Sequence, residues 1–217
     1  MSLPELDTVI DWTTVSTSER MRYAVAKLVT TYGYPVNAAA GIVGNLFAES
    51  AIIPNRIEGS AVTTPMRARD FANQVRTCTA TEIMNRDVKA KRGPKLGGVG
   101  LAQWTFRTRR AGLFAHRFNG TVLGANVLFD MDAQLDFLEF ELGQSFPSLR
   151  ELLRGADVAL NKASDEVVYQ FERPGAILDS NGKALPRGNA RVQAVFRTRR
   201  GFAQQSLAAF QDAQPRP

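Results

Sequence analysis

The chain has 217 residues, 44% of them hydrophobic and 22% charged, a net charge of +6 and a pI near 9.8. That is enough for one domain with a substantial core and a preference for polyanions. No apolar run approaches the ~20 residues of a bilayer span, and Met1–Asp7 lacks a basic segment leading into an apolar one, so neither membrane insertion nor signal-peptide export is expected.

In chain order, residues 1–15 read as an N-terminal extension. Ser16-Thr-Ser-Glu19 is a capping box, followed by Met21, Ala24, Val25, Leu28 and Tyr32 at helical spacing. Gly33 and Pro35 stop that helix, and Asn37 is placed to cap the next. The second helix carries an apolar stripe of Ala39, Ile42, Val43, Leu46 and Phe47, with Asn45 and Glu49 on one shoulder and Ser50 within it. Gly41 and Gly44 fall on the opposite side, where another backbone could come close.

Residues 56–98 are the least regular and read as a hairpin or loop insertion. Short helices are expected at Thr64-Pro65 and at Thr79-Ala-Thr-Glu82, and Lys89–Lys95 reads as a solvated basic loop or hairpin tip. Beyond Leu101 helices are expected over about 106–117, 128–143, 148–154, 164–172 and 188–210. His116, the only histidine, has arginines beside it and no acid nearby in sequence; it reads as an ordinary helix-surface residue. Phe106-Arg-Thr-Arg-Arg110 recurs as Phe196-Arg-Thr-Arg-Arg200. Solvated basic helix faces explain both copies, with contact to a phosphate-bearing polymer as the alternative. Residues 16–211 then form a single mainly helical domain, and 212–217 a polar tail.

One cysteine, Cys78, excludes an intrachain disulfide and a multi-cysteine zinc site, and one histidine leaves little room for a nucleophile–histidine pair. No metal or organic cofactor is implied, so the chemistry falls to carboxylates. Glu49 ends an apolar helix, between Leu46-Phe47 and Ile52-Ile53, and an apolar setting raises the proton affinity of a carboxyl group. The bland reading of Glu49 is a solvent-facing residue at a helix C-terminus, where the dipole disfavours an anion. Some fifty residues later Gly98-Val-Gly-Leu-Ala-Gln-Trp-Thr105 is a glycine-rich turn that presents Gln103 and Trp104. A carboxyl at the edge of an apolar wall, opposite such a turn, has the makings of a saccharide-cleaving cleft.

These residues carry a family resemblance. Gly44-Asn-Leu-Phe-Ala-Glu-Ser50 with Pro54-Asn55, then Gly98–Trp104, Asp132–Leu142 and Phe171-Glu-Arg-Pro-Gly175, resemble in order the blocks of the phage tail lysozyme family. The first two also look like the Glu-Ser and Gly-Leu-Met-Gln motifs of goose-type lysozymes and lytic transglycosylases. The resemblance implies a lysozyme-like α+β fold, mainly α, with a helical bundle around a central helix and a small β-hairpin region walling the cleft. It implies Glu49 as catalytic acid, Ser50 and Asn55 holding the acid and the following loop, and Gly100, Gln103 and Trp104 at the saccharide. Trp104 has a core reading as well.

The chain departs from the family's common form at Ala51, where many members have glycine, and in the basic segment 86–95. A second carboxylate would come from Glu58, Asp70, Glu82, Asp87 or Glu172, although Arg173 beside Glu172 favours a structural ion pair for the latter. By the goose-type likeness, one essential carboxylate is expected, with the substrate's own acetamido or C6 hydroxyl group completing the chemistry.

Three readings follow. One is a muramidase cutting the β-1,4 bond between N-acetylmuramic acid and N-acetylglucosamine. Another is a lytic transglycosylase using the same acid to make 1,6-anhydro ends, and a third is a non-catalytic basic wall-binding domain. The expected partner is bacterial peptidoglycan in the cell wall or periplasm. Delivery would be by a phage virion, as a lysin or through a secretion machine, with an immunity protein as a further partner. Nucleic acid is disfavoured because the basic residues are not interleaved with aromatics along a stripe.

Overall fold

The computed structural model describes residues 10–212; positions 1–9 of the expected extension and 213–217 of the tail lie outside them. Helix α1 (Thr17–Thr30) opens on the expected capping box, with Ser16 accepting from the Glu19 amide and the Glu19 carboxylate accepting from the Ser16 amide. Its Arg20 is buried and donates to the carbonyls of Trp12, Val15 and Ala51. Trp12 is itself a core residue, 5.0 Å from the Tyr23 ring. The packed body therefore starts by Trp12 rather than at residue 16.

Helix α2 (Val36–Ser50) is the central element. It starts after Pro35 with no side-chain cap; Asn37 instead donates to the Val158 carbonyl at 3.3 Å. The helix is buried on every side from Ala38 to Leu46, not amphipathic as its stripe suggests. Its two glycines explain how. A Cβ at Gly44 would lie 2.4 Å from the Ala203 amide nitrogen, and one at Gly41 would lie 2.9 Å from that of Ser164. The backbones of α7 (Leu160–Glu166) and α8 (Ala190–Gln211) press directly onto α2 at these points.

Between α2 and the later helices stands an antiparallel hairpin, β1 (Arg67–Arg69) with β2 (Val75–Thr77), in the register Arg67↔Thr77. No helix forms at Thr64-Pro65; that stretch is a turn closed by an Ala61↔Thr64 bridge. Helix α3 (Ala80–Met84) forms with the Thr79/Glu82 capping box, and Lys89, Lys91, Arg92 and Lys95 extend into solvent around an Asp87↔Arg92 bridge.

Helix α4 (Arg107–Ala115) leads through a small hairpin, β3 (Arg117–Phe118) with β4 (Thr121–Val122), and a 3-10 turn to α5 (Met131–Ser145). Helix α5 begins three residues later than its apolar spacing suggests because Asp130 caps it, accepting from the Ala133 amide at 2.8 Å. Helix α6 (Pro147–Arg154) precedes α7, which widens into a π-helical segment over Val167–Glu172 before Pro174. One large apolar core joins these elements, and a smaller cluster of Val168, Ile177, Val192 and Phe196 lies under the start of α8. The architecture is mainly α with small hairpins, the lysozyme-like α+β form that the resemblance implies. No helix among the described residues is long and apolar enough to cross a membrane.

His116 is not a surface residue. Its side chain is 9% exposed, with Nε2 2.7 Å from Asp136 on α5 and the ring between Phe137 and Phe140. The acid missing from its sequence neighbourhood arrives from another helix.

Candidate active site

Glu49 occupies the last turn of α2 with its side chain 20% exposed. An anion there faces the negative end of the helix dipole. Arg199 of α8 offsets this, donating to the Asn45 carbonyl at 3.1 Å and to Glu49 Oε1. The turn after the acid is tightly specified. Ser50 is fully buried; its Oγ donates to the Leu46 carbonyl and accepts from the Ile52 amide, so it holds the helix end and contacts no ligand. Ala51 and Ile52 both sit at φ +57°, a region that β-branched residues rarely enter. A glycine at position 51 would meet this backbone demand without strain; this chain meets it with alanine.

A cleft of about 460 Å³ opens in front of Glu49. Its facing wall is the glycine-rich turn, tied to the loop after α2. Glu58 accepts from the amides of Gly97 and Gly98 and donates its own amide to the Gly98 carbonyl. Gln103, at φ +45°, lines the cleft; its Nε2 donates to the carbonyls of Arg56 and Gly100. Gly100 has a structural reason to be glycine: it has φ +77°, and a Cβ would fall 2.6 Å from Gln134 Oε1. Gln134 binds the two motif loops together, accepting from the Leu101 amide and donating to the Pro54 carbonyl.

Trp104 also departs from expectation. It is completely buried and donates Nε1–H to Glu141, which in turn takes a bidentate contact from Arg109 at 2.6 and 2.8 Å. It braces the floor and offers no face to a sugar. The exposed aromatic in the cleft is Phe106, 73% accessible.

Opposite Glu49, the π-helical segment ends at Glu172, and Arg173 at φ +44° and Pro174 continue the cleft wall. π-Turns within helices recur at functional sites. Arg173 is exposed and makes no ion pair with Glu172, which corrects the expectation from their adjacency. Glu172 Oε1 is enclosed and has no hydrogen-bond partner. Burial, and next the negative charge of Glu49, push its carboxyl well above the ordinary glutamate range; Arg109 and Arg199 oppose this only in part. Both causes favour the protonated form of Glu172.

Of the other expected positions, Asn55 is half-buried outside the cleft lining. Asp70 is taken up by the amides of Ala72 and Gln74 and by Arg76, and Glu82 caps α3. Asp87 caps its own turn. None of these three lines the cleft. The repeated Phe-Arg-Thr-Arg-Arg segments are not solvated faces either. Arg109 holds Glu141, Arg199 holds Glu49, Arg200 holds Asp165, and Arg110 donates to the Gly97 and Ile83 carbonyls; only Arg107 and Arg197 remain exposed. Arg199, Glu141, Gln134 and Phe106 were not singled out by sequence, and the repeat was the sole signal touching Arg199 and Phe106.

A family model described as Phage tail lysozyme matches residues 19–195. The chain belongs to the phage tail lysozyme family. Membership implies a peptidoglycan-lytic enzyme that acts on the cell wall in a phage-tail context. No curated protein and no solved structure matches this phage tail lysozyme.

Proposed function

We propose that this phage tail lysozyme is a muramidase that hydrolyses the β-1,4 bond between N-acetylmuramic acid and N-acetylglucosamine, with Glu49 as general acid. The observation that carries the reading is a pair of carboxyl groups in one cleft under opposite electrostatic regimes, Glu49 against Arg199 and Glu172 enclosed without a partner. Glycoside cleavage needs a proton for the leaving oxygen and negative charge near the oxocarbenium-like centre, and a buried carboxyl whose proton affinity is raised, beside a second carboxyl paired with arginine, can supply both.

Glu172 keeps the proton while the cleft is empty. Glu172 passes that proton to Glu49, which delivers it to the leaving oxygen; water then adds to the oxocarbenium-like centre and returns one proton to the carboxyl pair. Phe106 offers its ring to a saccharide face, the role that buried Trp104 cannot fill, and Gln103 lies beside the same path. Glu58 remains at the cleft edge as a latch between loops.

Digestion of purified peptidoglycan, with mass spectrometry of the fragments, tests this. Reducing muramic ends from the native chain, absent with Glu49→Gln, support hydrolysis by Glu49. 1,6-Anhydro ends would make the enzyme a lytic transglycosylase, and cleavage undiminished in Glu49→Gln would remove Glu49 from its role. Binding of intact walls without cleavage would leave a wall-binding domain.

A further inference from the structure

A second cavity of about 550 Å³ adjoins the cleft, with Thr105 in the wall of both. Its lining brings together Arg86, Lys89, Arg107 and Arg110 around the apolar side chain of Phe114. These cations have no carboxylate in ion-pair range among the described residues. Arg86 and Arg110 are held by backbone carbonyls instead, Arg86 on Pro94 and Lys95, Arg110 on Gly97 and Ile83. Arg110 is buried, and burial together with the nearby charge of Arg86 lowers its pKa to about 10. The one acid in the lining, Asp87, spends Oδ1 on the amides of Lys89 and Ala90.

Concentrating like charges in a concave site is unfavourable unless an anion enters it. Four of the lining residues, Arg86 to Lys89, come from the basic segment 86–95, and Arg107 and Arg110 come from the repeat at 106–110. None of these residues is used by the chemistry proposed for the cleft.

We propose that this cavity binds the carboxylate-bearing stem peptide that branches from the glycan held in the cleft. Two features favour a peptide carboxylate over a free-standing phosphate. The cavity shares a wall with the saccharide path, so an arm leaving a bound sugar enters it past Thr105. Its lining also mixes cations with Met84, Val88, Ala111 and Phe114, which suits small apolar side chains flanking a carboxylate. The proposal rests on the glycan-cleaving reading for the position of the branch, and its test is arranged to read binding separately from cleavage.

The test uses peptidoglycan strands freed of attached phosphate polymers, half of them stripped of stem peptides by an amidase. Binding of dye-labelled strands is measured by fluorescence anisotropy in a Glu49→Gln background, with folding checked by circular dichroism. Lys89→Ala/Arg107→Ala should weaken binding of stem-bearing strands about tenfold and leave stem-free strands within about twofold. Arg197→Ala/Lys183→Ala removes the same two charges elsewhere and should change neither.

Equal affinity of the cavity variant and its parent for stem-bearing strands would overturn the proposal. So would an equal loss on stem-free strands, which would mean general attraction, or a loss seen only when phosphate polymers are left attached. If the native chain cuts neither strand, the glycosidase reading fails, and the anisotropy result still decides for or against the cavity.

Discussion

Glu49 and Glu172 lie in the last turns of two helical segments that meet at one cleft, and each is followed within two residues by a left-handed, non-glycine position, Ala51 and Arg173. Their surroundings differ in one respect. Glu49 is part-exposed with a guanidinium against it, while Glu172 has an enclosed oxygen with no hydrogen-bond partner. The contrast shows that similar local geometry does not fix a carboxyl group's role. What fixes it is whether a cation from elsewhere in the chain reaches the group, and here α8 sends Arg199 to only one of them.

The contrast is broken most severely at Glu49. Glu49→Gln should lower the rate of peptidoglycan cleavage by about 10²–10⁴-fold, the usual worth of a positioned acid, with little change in strand affinity. Turbidity loss of wall suspensions under saturating substrate reads this directly.

Glu172→Gln sharpens it. The neutral amide imitates the protonated carboxyl in shape, so the fold should persist, while cleavage falls about 10–100-fold for want of a proton source. Stability should move the other way. Glu172 has a folded-state proton affinity above its unfolded value, so its contribution is complete below the ordinary value of 4.5 and is lost as pH rises towards the folded pKa. Relative to the native chain, Glu172→Gln should gain nothing at pH 4 and be the more stable of the two at pH 8. Urea melts at the two pH values give the comparison; a gain equal at both would detach Glu172 from the titration.

The smallest effects concern the two left-handed turns. A non-glycine residue there costs about 1–2 kcal/mol, and glycine gives back about 0.4–1 kcal/mol through unfolded-state entropy. Ala51→Gly and Arg173→Gly should each stabilise the chain by up to about 1 kcal/mol, seen as a small rise in melting temperature. Destabilisation at position 51 would mean that the methyl group of Ala51 packs usefully under the acid.

Much of this was legible in the sequence. The Ser16 and Thr79 capping boxes, the close approach at Gly41 and Gly44 and the turn at Gly98 rest on local rules, which the fold obeys. The partners of charged side chains were not legible, because they come from distant segments. Arg199 is 150 residues from Glu49, and Trp104 meets Glu141 across 37. Periodicity placed Glu49 on a helix shoulder, but a helix with glycine on its far side can be buried all round, and no stripe tells the two cases apart. The adjacency of Arg173 misdirected the reading of Glu172, since a left-handed turn points neighbouring side chains apart.

The central claim is that burial and the neighbouring Glu49 raise the proton affinity of Glu172 well above that of an ordinary glutamate. Its most direct test is the pH dependence of the Glu172 carboxyl carbon shift by NMR, in the native chain and in Glu49→Gln. The account predicts a Glu172 midpoint well above the ordinary glutamate value in the native chain. In Glu49→Gln its midpoint should fall as the neighbouring charge disappears, yet remain above the ordinary glutamate value because burial persists. A Glu172 that ionises at the ordinary value, or a midpoint unmoved by Glu49→Gln, would contradict it.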